Sequence, residues 1–301
     1  MTTGAEPASL TAPDPLPAPI LGGSAYELDP ESPRSFARDG FFGPIEVYQP
    51  AEAADIAARV DRLRAQAREL EPKLYEVEAA SLADPERFVF HCLGGWLVDD
   101  GLRAAVFDAR ITVPAAQCLG VRRLRFWHDQ VFTKPPHHPG VVPWHQDYAY
   151  WQRTAPECHV TVHIALDDAD TDNGCLHYIA GSHRWPLLER VDFDGPMEAL
   201  FEARSATKRS DATTSGARED VALHDPQPMR LRAGQAVIHH SRVAHGSFEN
   251  LSPRPRRALV LNYFADGVRS AIDGPMLRGL PASRVGDLLV EPWFPLVLDR
   301  L

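Results

Sequence analysis

Residues 158–166 (CHVTVHIAL) divide their chemistry by parity. Val160, Val162, Ile164 and Leu166 fall on one side, and His159, Thr161, His163 and Ala165 on the other. A period of two is the mark of an extended strand, because successive side chains point to opposite faces of a sheet. One face takes apolar packing, while the other carries imidazoles and a hydroxyl that need hydrogen-bond partners or water. A sheet with helices packed outside and a wet pocket inside meets both demands. The inner face is therefore where chemistry is expected.

Other segments extend this texture from Leu119 onward. Val121, Leu124 and Phe126, then Val131 and Phe132, sit among polar residues until Lys134-Pro135-Pro136 stops the run. Further strands are expected over 175–179, 229–232, 236–240 and 258–264, with Ala233-Gly234-Gln235 as a tight turn. Upstream, Ile56, Val60, Leu63, Ala67 and Leu70 recur at steps of three and four, which predicts an amphipathic helix from Pro50 to about Glu71. A second helical stretch is expected over 85–109, interrupted at Gly94-Gly95. Helices followed by a series of short strands predict one α+β domain over 25–301, with a jelly-roll or barrel core flanked by N-terminal helices. Residues 1–24 are rich in Pro, Ala and Ser and are expected to be disordered. The polar insertion 186–228, which includes ATKRSDATTSGARED, is expected to act as a lid.

Charge and cysteine usage narrow the partners. A net charge of -10 argues against nucleic acid, whose binders carry a basic footprint. No apolar run approaches the roughly 20 residues that cross a bilayer, and the N-terminus lacks the basic and apolar regions of a signal peptide. Four cysteines without CxxC spacing suit a reducing cytoplasm. A small-molecule partner fits these constraints.

His145 and Asp147 stand two apart in VVPWHQDYAYW. Two imidazoles and a carboxylate gripping one face of an ion, with other positions open, is the arrangement of non-haem Fe(II) oxygenases. The pair alone is weak evidence in a chain with 13 histidines. A second histidine must come from a distant strand, and IHHSRVAHGSFEN offers His239, His240 and His245. His245 is preferred because Gly246 and Ser247 follow it at an expected strand end. Eleven residues on, Arg256 opens the strand at 258–264. A guanidinium there can grip the distal carboxylate of a dicarboxylic acid such as 2-oxoglutarate through two parallel hydrogen bonds. Arg254 and Arg257, in the same RPRR cluster, are expected at the surface, and Asp167, Asp168, Asp170 and Asp172 form an acidic turn read as solvated.

With these residues in place, the chain resembles the phytanoyl-CoA dioxygenase (PhyH) family. The matching stretches are KPP (134–136), PWHQDYAYW (143–151), ALDDADTDNGCLHYIAGSH (165–183), HGSFENLSPRPR (245–256) and, upstream, FARDGFFGP (36–44). The resemblance implies a double-stranded β-helix (cupin-like) core. It also implies a hydroxylase that consumes Fe(II)-bound 2-oxoglutarate and O2, oxidises an unactivated C–H bond of a small molecule, and releases succinate and CO2. Bacterial members point to secondary metabolism. It assigns His145, Asp147 and His245 to iron, and Arg256 and Ser247 to the 2-oxoglutarate carboxylate. Gln130, Thr161 and His163 are placed with the cosubstrate, His163 standing where many relatives carry Trp. A lysine contact of the family has no clear match, His91 being nearest. Tyr150 and Trp151 are candidate walls of the substrate pocket. Related halogenases have Gly or Ala in place of Asp147, so hydroxylation, desaturation or ring closure is favoured over chlorination. Two alternatives remain: a cupin-type metalloenzyme that does without 2-oxoglutarate, and so has no use for Arg256, and a catalytically silent ligand-binding barrel.

Overall fold

The alternation at 158–166 is realised as strand His159–Ala165, held between antiparallel strands Arg256–Ala265 and Gln235–His240. In the computed structural model, which describes residues 9–22, 25–192, 195–197 and 225–300, these belong to the larger of two principal sheets. That sheet continues through Arg123–Lys134 on one side and Phe41–Glu46 on the other. A smaller antiparallel sheet runs in the order Gln227–Met229, Leu176–Tyr178, His245–Ser247 and Val142–His145. From Arg123 onward the chain commutes between them. Arg123–Lys134, His159–Ala165, Gln235–His240 and Arg256–Ala265 join the large sheet, and the intervening strands join the small one, except Thr154–Ala155, which pairs with Arg269–Ser270. This commuting winds the chain into the expected double-stranded β-helix, a jelly roll with α+β content.

The apolar parity of the central strand explains the outer layer. Val160, Val162 and Ile164 are fully buried in one cluster with Ile56, Ala57, Val60 and Leu63 of helix Pro50–Ala65. That helix begins at Pro50 with a reciprocal capping box between Gln49 and Glu52, which satisfies backbone donors the first turn leaves open. It stops at Gln66, and Ala67–Leu70 follows as a separate turn, so the periodic run is interrupted once.

The expectation of helix over 85–109 is corrected. Phe90–Leu93 is a strand paired with residues 130–133 of Arg123–Lys134. All four of its residues are buried, and a short wholly buried run carries neither helical nor strand period. Helices Gly95–Val98 and Asp100–Val106 follow, and the buried Asp129 carboxylate ties down their start by accepting from the Gly94 and Trp96 N–H groups at 3.0 and 2.8 Å. A further helix, Ala109–Leu119, was not expected. It carries Pro114 inside, a residue that normally argues against helix, and it lies against strand His159–Ala165. Strand Arg123–Lys134 is one long element, and its pairing with Arg256–Ala265 shifts register at Trp127: Asn262 faces His128 while Tyr263 faces Phe126. A bulge there lets His128 face inward with Gln130 while Phe126, two residues earlier, packs in the outer core.

The lead-in also differs from expectation where it is described. Ile20–Leu21 pairs in parallel with residues 298–299, Leu10 N–H donates to Gly279 O at 2.9 Å, and Leu10, Leu16 and Ile20 pack on the core. The isolated apolar residues between prolines dock on an otherwise open sheet edge, a contact that mean composition hides. In the insertion, Val191 and Met197 pack with Trp144, whereas the 204–220 stretch lies outside the described residues. Among the described residues no helix is long and apolar enough to cross a membrane.

Candidate metal centre

His145 ends one strand of the small sheet and His245 begins its neighbour, and the two are direct cross-strand partners. Their rings lie 4.2 Å apart between centroids. Asp147 follows two residues after His145, at the start of a short 3-10 turn. Among the described residues, one potential ligand atom from each of the three lies within 4.8 Å of the others.

The surroundings fix which atoms face that point. His145 Nδ1 lies 2.8 Å from Pro143 O, and His245 Nδ1 lies 3.0 Å from Val243 O. In each case Nδ1–H donates to the carbonyl two residues earlier, which leaves the Nε2 lone pair as the metal-facing atom. Those Nε2 atoms stand 3.4 and 3.7 Å from Asp147 Oδ1. The other carboxylate oxygen is held from the opposite sheet. Thr161 Oγ lies 2.8 Å and His239 Nε2 3.0 Å from Oδ2. Tyr178 OH lies 2.9 Å from His239 Nδ1, so the phenol donates to Nδ1 and Nε2–H donates to the carboxylate. Oδ1 is thereby left for a cation. Burial pushes the Asp147 carboxyl upward, but His245, His145 and His239 outweigh it and hold it well below the usual carboxylate range. Burial lowers the His245 imidazole well below its usual value, favouring the neutral form a metal needs. This donor set, three converging atoms backed by hydrogen bonds that fix their orientation, fits a divalent iron.

The large sheet supplies the other half of the pocket, lined by Gln130, Thr161, His163 and Arg256. Arg256 is 2% exposed, and its Nε and Nη2 have no hydrogen-bond partner among the described residues. Its neighbours differ. Arg254 pairs with Asp170 at 2.6 Å, and Arg257 pairs with Asp167 at 2.6 Å and Asp61 at 2.5 Å. The acidic turn therefore neutralises the flanking arginines rather than standing free in solvent, and leaves Arg256 as a buried cation facing the triad. Burial pushes Arg256 down to about 10, still charged at neutral pH. His163, on the same wall, is held well below its usual value by burial and by Arg256.

Ser247 is buried and cross-strand from Val142 and Leu176, both pocket residues. Its Oγ accepts from the buried Lys134 Nζ at 2.5 Å, and the same amine donates to Phe248 O. Lys134 is the register partner of Arg256. Tyr150 and Trp151 line a second, wider cavity of about 370 Å³ that reaches Asp147 and Gln130. His91 lines it too, stacked on Phe132 at 4.4 Å, with burial lowering it to about 4.

The structure thus places His145, Asp147, His245, Gln130, Thr161, His163 and Arg256 on one pocket, with Ser247 cross-strand from two of its lining residues, and adds His239 and Tyr178. His239 was in view only as a rival metal ligand. Strand parity reveals its role, since Val237 and His239 face inward while Ala236 and Ile238 join the outer cluster. Tyr178 and Lys134 carried no comparable signal.

Comparison with known proteins gives the same picture. The family model described as "Phytanoyl-CoA dioxygenase (PhyH)" matches residues 36–258. Phytanoyl-CoA dioxygenase 1 of Oryza sativa subsp. japonica is 34% identical over 132 residues, 44% of this chain and 41% of that protein, so less than half of the rice protein is matched. An ectoine dioxygenase of Nocardia farcinica is 29% identical over 243 residues, covering 78% of this chain and 77% of its own length. The crystal structure of the alpha-ketoglutarate-dependent carbocyclase SnoK from nogalamycin biosynthesis superposes with a TM-score of 0.68 at 20% identity, covering 91% of this chain and 98% of that one. At that identity the likeness speaks for the fold.

Proposed function

The chain belongs to the phytanoyl-CoA dioxygenase family, and from that membership and its pocket we propose that it is a 2-oxoglutarate-dependent oxygenase acting on a C–H bond of a small molecule. Succinate and CO2 are its co-products, and hydroxylation is the outcome we favour. We also place it in the cytoplasm and in bacterial secondary metabolism. One observation carries the reading: the buried, unpartnered Arg256 faces a His-Asp-His triad across one pocket. A metalloenzyme without a dicarboxylate cosubstrate has no compensation for burying that guanidinium.

His145, Asp147 and His245 would hold Fe(II), which when bound supplies the activation of O2 against 2-oxoglutarate. The rest falls to the chain. Arg256 binds the distal carboxylate as a fork, and its donors find the acceptors they lack. The Ser247 hydroxyl, already accepting from Lys134, has its own proton free to donate toward that carboxylate. His163, kept neutral, adds no second full charge beside Arg256. Thr161 and His239 keep Asp147 turned so that one oxygen faces the ion. Burial of the triad in the sheet interior limits water at the reacting end.

The test is succinate release from anaerobically Fe(II)-loaded protein exposed to O2 and 2-oxoglutarate, with and without a panel of small molecules. Wild type should turn over 2-oxoglutarate, and Arg256→Met should not. If wild type neither decarboxylates 2-oxoglutarate nor binds it in the presence of metal, the proposal fails.

A further inference from the structure

The wider cavity beside the triad has a polar wall that the cosubstrate does not use. His128 is fully buried, and its Nε2 has no hydrogen-bond partner among the described residues. Its tautomer follows from Asn262. The Asn262 amide nitrogen donates to His128 O at 3.1 Å, which fixes the orientation of the amide, and the same nitrogen lies 3.2 Å from His128 Nδ1. Nδ1 must then accept. A proton on Nδ1 would face that amide donor, and its alternative acceptor, Asp129 O, is farther away at 3.4 Å. The imidazole is neutral, burial holding it down to about 3 with help from the nearby Arg153 charge. The proton therefore sits on Nε2, the atom without a partner.

Arg153 is the second unsatisfied group on this wall. Its Nε is buried without a partner, and among the described residues its guanidinium makes no ion pair. It is held over the Trp127 ring at 5.8 Å from the centroid, a contact that leaves its N–H edge open. Both His128 and Arg153 line the cavity that reaches Asp147. A cation and a neutral N–H donor lining one cavity without acceptors call for an anionic oxygen group, for the same reason that Arg256 does. The charge around them limits that group. Glu76, Glu78 and Asp192 line the same cavity and outnumber its two cations, Arg153 and Arg190, the latter held over the Tyr150 ring. They disfavour a multiply charged phosphate and suit a cationic or hydrogen-donating far end.

Resting on the oxygenase reading above, we propose that the substrate is a small monocarboxylate, of amino-acid type, whose carboxylate is bound by Arg153 and the Nε2–H of His128. Arg153 then orients the substrate from the wider cavity, whose lining does not include Arg256, so cosubstrate and substrate carboxylates are sorted by two separate arginines.

Ligand-observed NMR tests this without turnover, on Zn(II)-loaded protein saturated with 2-oxoglutarate so that the Arg256 pocket is filled. The probes are matched acids and primary amides: L-proline and L-prolinamide, and cyclohexanecarboxylate and its carboxamide, with cyclohexyl phosphate as a further arm. Acids should bind about tenfold or more tighter than amides and than the phosphate. Arg153→Met should erase that preference, and Arg153→Lys should restore part of it. Acids binding no better than amides in wild type, or a preference that survives Arg153→Met, overturns the proposal. So does tighter binding of the phosphate. Acid binding without any succinate release would instead count against the oxygenase reading alone.

Discussion

Removing the Arg256 guanidinium should move stability and cosubstrate binding in opposite directions. Burial lowers this side chain from 12.5 to about 10, and at 2% exposure solvent screens little of that penalty. At about 1.36 kcal/mol per unit, holding the charge in the empty pocket costs about 3 kcal/mol at neutral pH. The sign follows from linkage: the folded value lies below the unfolded one, so the penalty is present below pH 10 and fades as pH rises through it. Arg256→Met keeps most of the volume and deletes the charge, so protein without cosubstrate should gain roughly 1–3 kcal/mol. The same change removes charge-assisted hydrogen bonds worth about 1.5–3 kcal/mol each, so the stabilisation conferred by 2-oxoglutarate in the presence of Zn(II) should vanish. Urea denaturation with and without cosubstrate reads both effects. Arg254→Met is the control, since its exposed pair with Asp170 should change stability by less than about 1 kcal/mol. An Arg256→Met protein that is less stable without cosubstrate, or that 2-oxoglutarate still protects, would refute the reasoning.

Three further outcomes are expected. His239→Phe removes a donor to Asp147 Oδ2, and Zn(II) titration should show a loss in affinity of about 10–100-fold, whereas His240→Phe should leave it unchanged; equal effects would sink the positioning role. Burial lowers His91, His128, His159 and His240 to about 4, 3, 3 and 4, so the unfolded chain binds more protons below pH 6.5 and stability is lost as pH falls through that range. Burial raises Asp129 to about 6, which offsets one proton, leaving a slope near pH 5 of about 4 kcal/mol per unit; urea midpoints that do not change between pH 7 and pH 5.5 would contradict it. Because the Asp147 carboxylate takes a coordination position that a halide would need, product from wild type should be free of halogen in chloride and bromide buffers alike, and Asp147→Gly should be nearly inactive. Mass spectrometry of the product decides it, a halogenated wild-type product being the contrary result.

What was legible in the sequence is what short-range geometry dictates. Parity exposed the inner face of His159–Ala165, and the spacing of Ile56, Val60 and Leu63 exposed the helix that covers its outer face. The histidine ligands and Arg256 were legible because each sits at a strand end with a distinctive neighbour, and Asp147 because it follows His145 at a spacing of two. Phe90–Leu93 was not, because a strand buried on all sides has no period. Nor was helix Ala109–Leu119, where tertiary burial of Ile111, Val113 and Ala115 overrides the Pro114 penalty. The bulge at Trp127 shifts parity within one strand, so no periodic reading could have placed both Phe126 and His128. Arg153 lies outside any motif, and its significance appears only once its lack of partners is known.

The jelly roll divides the work between its sheets. The small sheet contributes His145 and His245 and directs Asp147, while the large sheet contributes Gln130, Thr161, His163, His239 and Arg256. Packed sheets stand about 10 Å apart, a gap that a five-carbon diacid held at one end by Arg256 can cross to reach a metal on the other side. Asp147 is the residue that both sheets hold, tied by chain to the small one and by Thr161 and His239 to the large one. A change in the spacing of the sheets would therefore strain the metal ligand and the cosubstrate grip together. The core packing of Val237 and Tyr178, which lie between the sheets in one cluster, is thus part of what keeps the site in register.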